Sequence, residues 1–215
     1  MRYGILGTGD VACTIGNKLL ELGHEVMLGA RNVENIKVMQ WCDGKGELAK
    51  HGTFADAAQF GERVFNCVRG IHAIEVLKMA GDMNLSGKIL IDQTNPYIYK
   101  DGHISLDPRW SGTTSLGETN QALMPDVKVV KTLNFICFHL MVNPQQLPDA
   151  VTGFYCGNDT EAKVEVARLL ADFGWQDTMD LGGISMARYT EMLGAFWPAV
   201  YNGIGHMNWG FKLVR

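Results

Sequence analysis

Two glycines and an alanine near the start of the chain have the spacing that binds a phosphorylated nucleotide. Gly7, Gly9 and Ala12 form a GxGxxA pattern between the apolar residues 3–6 and a segment with apolar residues at helical spacing. Gly7 permits a tight turn, Gly9 lets a pyrophosphate approach the N–H groups at a helix start, and Ala12 allows close helix packing. This first strand–helix turn predicts a dinucleotide site, and a glycine-rich turn without a ligand is the alternative.

Asp10 stands next to the expected pyrophosphate, where a carboxylate would repel the ligand. Aspartate is a preferred N-cap residue because its side-chain oxygen accepts a hydrogen bond from a free N–H group of the first turn. Its charge is also favourable at a helix N-terminus. We therefore expect Asp10 to cap the first helix, with its side chain turned away from the ligand.

Arg31 and Asn32 follow the second apolar run, at a position where NAD-binding chains carry an acidic residue. That acidic residue, about 20 residues past the glycines, bonds the ribose 2′-hydroxyl. A carboxylate repels a 2′-phosphate, whereas a guanidinium pairs with it through two hydrogen bonds and stacks on adenine. Arg31 is therefore predicted to anchor the 2′-phosphate of NADP, with Asn32 as an added donor. A solvated surface arginine is the alternative.

The rest of the chain alternates strand-like and helix-like segments that must position these motifs. Apolar runs predict strands at 3–6, 25–28 and 63–68, within 88–96, at 127–136 and within 175–182. Helical spacing predicts helices near 11–22, 54–60, 71–80, 160–174 and 184–205, and a poorer helix at 35–50. This alternation indicates a doubly wound α/β fold with a mostly parallel sheet, the Rossmann NAD(P)-binding fold. We assign 1–183 to the NADP-binding domain and 184–215 to a small C-terminal helical cap and tail.

Composition argues against several other classes of partner. The net charge is −4 and the 19 Lys and Arg residues are scattered, so we expect no binding to nucleic acid or to an acidic membrane surface. No apolar run approaches the roughly 20 residues that cross a bilayer, and the start lacks a leader pattern. Five dispersed cysteines without a CxxC pair indicate a cytoplasmic protein, and no histidine spacing supports a metal site.

The chain resembles the deazaflavin-dependent NADP oxidoreductase family. The segments GILGTGDVA and LGHEVMLGARN are similar to the opening of that family. The similarity continues through ILIDQTNP, VVKTLN and GFYCGND into TEML, so it covers nearly the whole chain. The resemblance implies direct hydride transfer between NADP(H) and an 8-hydroxy-5-deazaflavin.

The resemblance also implies roles for individual residues. The residues implied to line the pyrophosphate are Thr8, Gly9, Asp10 and Val11. Val68, at the expected end of the fourth strand, would flank the cofactor, and Ile136 would lie near the nicotinamide. The second basic residue of the family is not matched, because Asn35 has that position. Asn134 replaces a histidine that members of the family can present to the deazaflavin. This difference concerns the identity of the acceptor more than the identity of the cofactor, NADP.

Other polar residues stand where strands are expected to end. Arg69 follows the fourth strand and Asn95 ends the fifth, so both are candidates for cofactor contact. A surface loop and a turn are their respective alternatives. His139 is interpreted as a packed residue rather than a catalyst. No residue is expected as a general acid or base, which suits hydride transfer between two stacked rings.

These features predict an NADP(H)-dependent oxidoreductase with a flat ring acceptor such as a deazaflavin or flavin. The alternatives are an imine or metal-chelate reductase and a redox-sensing module that binds NADP without turnover. We also expect a homodimer with the aromatic C-terminal segment at or near the interface. Alternatively, the aromatic side chains of this segment cover a flat ring, or they form only the core of the C-terminal cap. The aromatic and methionine residues of that segment are Phe196, Trp197, Tyr201, Met207, Trp209 and Phe211.

Overall fold

A computed structural model describes residues 1–100 and 102–215, and its helices and strands alternate as the apolar patterns predict. In chain order they are β1 (Arg2–Leu6), α1 (Asp10–Glu21), β2 (Glu25–Ala30), α2 (Ile36–Cys42), β3 (Ala49–Thr53), α3 (Phe54–Phe60), β4 (Arg63–Asn66), α4 (Ala73–Ala80), α5 (Asp82–Leu85), β5 (Ile89–Asp92), β6 (Tyr97–Lys100), β7 (His103–Leu106), α6 (Leu116–Leu123), β8 (Lys128–Thr132), α7 (Phe138–Met141), β9 (Thr152–Gly157), α8 (Thr160–Asp172), β10 (Asp177–Asp180) and α9 (Ala187–Ile204). Short 3-10 turns precede α4 and α9. The second of these, at Ile184–Met186, begins one residue after the boundary placed at 183.

Eight strands form one sheet in the order β10-β9-β8-β5-β4-β1-β2-β3. All neighbouring pairs are parallel except β8 and β9, which are antiparallel. The predicted doubly wound, mostly parallel α/β fold is therefore confirmed. The chain leaves β1 toward β2 and β3, and returns to place β4 on the other side of β1. In such sheets this switch point opens a crevice at the carboxyl ends of the strands, where ligands bind.

Three of the predicted segments end earlier than expected, namely the helix at 35–50 and the strands at 63–68 and 127–136. The helix expected at 35–50 stops at Cys42, because Gly44 and Gly46 adopt φ angles of +73° and +72°. The short edge strand β3 then forms where no apolar run marked it. The strand β8 ends at Thr132 because Leu133 has a φ of +62°. The predicted strand 127–136 was therefore too long.

Two site residues consequently lie farther from their strands than the sequence indicated. Val68 lies two residues beyond the end of β4, and Ile136 lies four residues beyond the end of β8. The hairpin of β6 and β7 was not predicted at all, since its four-residue strands are too short for a clear apolar pattern. This hairpin follows β5 and packs against α9.

A buried ion cluster joins the sheet to α9. The Nζ atom of Lys131 on β8 lies 2.9 Å from Oδ2 of Asp92 on β5 and 3.0 Å from Oε1 of Glu191 on α9. The side chains of all three residues are essentially inaccessible to solvent. The Glu191 carboxylate also accepts hydrogen bonds from the N–H groups of Leu116 and Gly117, at the start of α6. The cluster therefore fixes two helices against two neighbouring strands.

The charge of Lys131 is maintained by its two partners. Burial by itself lowers the pKa of Lys131, but the carboxylates of Asp92 and Glu191 more than offset this effect and raise the pKa above its ordinary value. Removing only the cation would leave two carboxylates facing each other in the interior. An uncompensated buried charge is strongly destabilising.

We therefore expect Lys131→Met to lower the free energy of unfolding by about 3–5 kcal/mol. Lys128→Met on the same strand provides a control, because Lys128 is 37% exposed and its pair with Asp159 lies near the surface. That control should cost about 1 kcal/mol or less. Urea unfolding followed by circular dichroism measures both. Equal losses in the two variants would contradict the importance of the cluster.

Candidate functional site

The turn between β1 and α1 has an open face. Gly7 has a φ of +138°, and an added Cβ would lie 3.1 Å from the carbonyl oxygen of Cys67, so glycine is required at this position. At Gly9, in contrast, an added Cβ would meet nothing within 4 Å. Thr8 is half-buried, and both Gly9 and Asp10 are exposed. The space above Gly9 is where a ligand can approach the backbone.

The N-terminus of α1 has no side-chain cap. Gly9 is the N-cap residue and Asp10 is the first residue of the helix, with no side-chain capping hydrogen bond. The expected capping role of Asp10 was therefore wrong, because Asp10 lies one position too late to accept from the first turn. The N–H groups at the start of this 12-residue helix can receive an anion. The turn thus fits a pyrophosphate, as the glycine pattern predicted.

Arg31 and Asn32 are exposed and directly follow the last residue of β2. The Arg31 guanidinium reaches toward α4, where its Nη2 atom lies 3.8 Å from Oε2 of Glu75. The Asn32 side-chain oxygen accepts a hydrogen bond from the N–H of Glu34 at 3.0 Å, and this leaves its amide nitrogen free to act as a donor. The positive charge predicted for this end of the crevice is present and accessible.

Val68 and Arg69 continue from the strand next to β1. Val68 is half-buried and packs against the apolar core, whereas Arg69 is exposed at the start of the 3-10 turn before α4. The N–H of Cys67 still bonds the carbonyl of Leu6 at 2.9 Å, which keeps this segment beside β1. Val68 and Arg69 therefore lie at the carboxyl edge of the sheet, on the opposite side of β1 from Arg31.

A cleft of about 330 Å³ opens between the carboxyl edge, the β6–β7 hairpin and α9. Three of the predicted site residues, Val11, Asn95 and Ile136, line it together. The residues that complete the lining are Gln93, Tyr97, Tyr99, Ile104, Asn134, Phe135, Cys137, Phe138, Met141, Gly194, Trp197, Pro198 and Met207. No side chain in this described lining is Asp, Glu, Lys, Arg or His.

Two asparagines form a reciprocal pair at the floor of the cleft. The Asn95 amide donates to the backbone oxygen of Asn134 at 2.6 Å, and the Asn134 amide donates to Oδ1 of Asn95 at 2.9 Å. Gly194 of α9 packs directly on this pair, since an added Cβ would lie 2.8 Å from the oxygen of Asn134 and 2.6 Å from the Tyr97 hydroxyl. The close approach of α9 thus determines the height of the cleft.

Three buried polar atoms of the lining have no hydrogen-bond partner within the described residues. They are Nε2 of Gln93, Oδ1 of Asn134 and Nε1 of Trp197. Burial raises the pKa of Tyr97, with smaller contributions from Tyr99 and Glu191, so the Tyr97 hydroxyl keeps its proton. The three unpartnered atoms have almost no exposed surface, so the walls that the cleft presents to a ligand are mostly apolar and uncharged.

Other candidate groups do not form a reactive centre. Burial raises the pKa of the Cys137 thiol in the cleft and that of Cys67 beside it, which disfavours the reactive thiolate. The half-buried His139 ring hydrogen-bonds the Asn208 side chain at 2.7 Å and is not part of the cleft lining. Across residues 1–100 and 102–215, no three His, Cys, Asp or Glu side chains converge as metal ligands. Within the same residues, no helix is long and apolar enough to cross a membrane.

Some of the residues that were not predicted have partial signals in the sequence. Lysine and aspartate inside the apolar segments VVKTL and LIDQT are unusual for buried strands and could have indicated the ion cluster. The roles of Trp197 and Met207 in the cleft depend on how α9 and the tail fold back. Glu75 has no local signal, because it meets Arg31 only through packing between distant segments.

Comparison with known proteins agrees with this geometry. Residues 2–96 match the family described as NADP oxidoreductase, coenzyme F420-dependent. A solved structure from Arthrobacter sp. FB24, described as an F420-dependent NADP-reductase, is 40% identical with a TM-score of 0.92, and the alignment covers 99% of each chain.

More distant relatives have different acceptors in their names. Metalloreductase STEAP3 of Rattus norvegicus is 28% identical over 89% of this chain, which spans 36% of the length of that relative. A reductive aminase from Aspergillus terreus, in complex with NADPH, is 17% identical with a TM-score of 0.66 over 95% of this chain and 62% of its own, and it shares the fold. The 40% identity over nearly the whole chain confirms the resemblance read from the sequence: the protein belongs to the coenzyme F420-dependent NADP oxidoreductase family and is an NADP-dependent oxidoreductase.

Proposed function

We propose that the protein transfers a hydride between NADPH and a flat, uncharged ring such as a deazaflavin or a flavin. The observation that carries this proposal is the cleft of about 330 Å³ beside the switch point, with aromatic walls and no charged lining. Aromatic side chains favour offset stacking on flat rings. The absence of charge in the described lining disfavours a strongly charged reacting group.

The described residues support a specific position for NADP(H). The open face at Gly9 and the uncapped N-terminus of α1 would hold the pyrophosphate, lined by Gly7, Thr8, Asp10 and Val11. Arg31 and Asn32 would hold the 2′-phosphate at one end of the crevice. When bound, the cofactor supplies the hydride. Val68, Arg69, Asn95 and Ile136 would surround its nicotinamide end, because they lie at the carboxyl edge beside the cleft.

The surface of the cleft supports a flat ring rather than a small polar molecule. Most of its exposed lining is apolar, and Tyr97, Tyr99 and Trp197 contribute aromatic side chains to it. The faces of a flat ring would cover such a surface favourably, with about 25 cal/mol gained for each Å² of apolar area removed from water.

The chemistry of the lining also favours a ring acceptor over an imine. Reduction of an imine or a carbonyl requires a proton at the heteroatom, and the raised pKa of Tyr97 makes its hydroxyl a poor acid. Hydride transfer between two rings needs mainly proximity and orientation. The similarity to a metalloreductase makes ferric chelates the second acceptor class to test.

We propose that the protein is a homodimer that pairs through α9. Large apolar side chains recur along one exposed face of this helix, with exposures of 60% for Tyr189, 40% for Met192, 54% for Phe196 and 45% for Ile204. Contiguous exposed apolar patches on soluble proteins often mark interfaces.

The cofactor placement predicts that Arg31→Ala weakens NADPH binding but not NADH binding. A charge-assisted hydrogen bond contributes about 1.5–3 kcal/mol, so the preference for NADPH should fall by roughly tenfold or more. Gly9→Ala is the matched comparison, because its methyl group meets only open space in the protein but would block the pyrophosphate of both cofactors. Fluorescence titration with NADPH and NADH distinguishes the two patterns. An unchanged preference in Arg31→Ala would contradict the anchor role.

The acceptor is tested by following NADPH oxidation against a panel of a deazaflavin, FMN, FAD, ferric chelates, cyclic imines and quinones. Turnover should be restricted to ring acceptors. Trp197→Leu should raise the KM for the active ring about tenfold, because it removes an aromatic surface from the cleft, with little change in NADPH affinity. Phe196→Leu on the same helix lies outside the cleft lining and should have little effect. Imine reduction without ring turnover would refute the proposal.

The dimer is tested by light scattering at micromolar concentration. The unaltered protein should have twice the mass of one chain, and Phe196→Glu should convert it to a monomer by placing two charges across an apolar interface. Val164→Glu is the control, since Val164 is a comparably exposed apolar residue, 47% exposed, on α8. A monomeric unaltered protein, or dissociation by both variants, would contradict pairing through α9.

A further inference from the structure

We propose that Glu75 competes with the 2′-phosphate of NADP(H) for Arg31 and selectively weakens the binding of the phosphorylated cofactor. This inference rests on the proposed function, in which Arg31 is the phosphate anchor. It assigns a role to a residue of α4, the helix that follows β4, and this residue is outside the nucleotide-binding motif.

The geometry places the two charges together from distant parts of the chain. Arg31 follows β2, whereas Glu75 lies in the first turn of α4. Nη2 of Arg31 is 3.8 Å from Oε2 of Glu75, and the side chains are 58% and 59% exposed. Exposed pairs of this kind are weak. Arg31 can therefore leave Glu75 when a phosphate, which offers two or more acceptor oxygens, becomes available.

Glu75 stays near the anchor after Arg31 turns away, because it lies on a helix. It belongs to the first turn of α4, and the packing of α4 against α3 fixes the backbone of that helix. Nδ1 of His72 lies 3.9 Å from the same Oε2 atom, beyond hydrogen-bond distance. The carboxylate therefore remains close to a phosphate bound at Arg31. Electrostatic screening acts over about 8 Å at physiological ionic strength, so the carboxylate would still repel a phosphate bound at Arg31.

We therefore expect NADP(H) to bind less tightly than it would to a site that had Arg31 without a neighbouring carboxylate. Release of a product limits turnover in many enzymes. A carboxylate that weakens only the binding of the phosphorylated cofactor accelerates the release of that cofactor. The protein would still prefer NADP(H) to NAD(H), because Arg31 remains available to the 2′-phosphate. NADH has no 2′-phosphate, so its binding should not depend on Glu75.

The test is Glu75→Gln in the full-length protein, with titrations of NADPH and NADH and stopped-flow measurement of NADPH release. NADPH should bind about fivefold more tightly and dissociate about fivefold more slowly, with NADH affinity within twofold of the starting value. Glu161→Gln, which removes an exposed carboxylate from the first turn of α8, controls for net charge and should change neither.

Weaker NADPH binding in Glu75→Gln would overturn the proposal, because it would mean that the carboxylate orients Arg31. Equal tightening of both cofactors, or no change in either, would also overturn it. Combining Glu75→Gln with Arg31→Ala separates this inference from the proposed function. The gain from Glu75→Gln should shrink in the double variant. If Arg31→Ala alone leaves the cofactor preference unchanged, it is the anchor assignment that fails.

Discussion

The contact of Lys131 with Asp92 and Glu191 is the constraint on which the candidate site depends. Three charges without access to water can be accommodated only if each is paired, and only one placement of α9 pairs Glu191 with Lys131 and with the start of α6. Buried ion pairs add little net stability compared with apolar packing, and we infer that this one is retained because it defines a position. That position brings Gly194, three residues further along α9, onto Asn95 and Asn134.

The site is consequently built from two parts with different physical origins. The part that faces the nucleotide derives from local backbone geometry, namely the φ of Gly7 and the open N-terminus of α1. The part that faces the acceptor derives from tertiary packing of α9 and the hairpin over the sheet edge. The glycine turn of the first part is encoded within six consecutive residues, and the second part is distributed over more than a hundred. A substitution in the ion cluster would therefore alter the acceptor cleft before it altered the nucleotide turn.

This division explains how much could be predicted from the sequence. The fold, the glycine turn and the exposed arginine were predicted because periodicity and local motifs determine them. Asp10 was assigned as a cap because its type fits, but helix α1 begins one residue too early for that role. The ends of β4 and β8 were misplaced because apolar residues continue past the last ladder hydrogen bonds. The hairpin, the cleft walls and Glu75 could not be predicted, since each depends on contacts between segments far apart in the chain.

The two ends of the crevice also recognise their ligands by opposite means. At the Arg31 end, exposed charges can exchange partners at low cost, since water screens the intermediate arrangements. In the cleft, apolar and aromatic side chains held by tertiary packing provide a fixed shape that the ligand must match. A cofactor that leaves after each turnover suits the first mode. An acceptor ring that must be aligned for hydride transfer suits the second, because the rate depends on orientation rather than on an acid or a base.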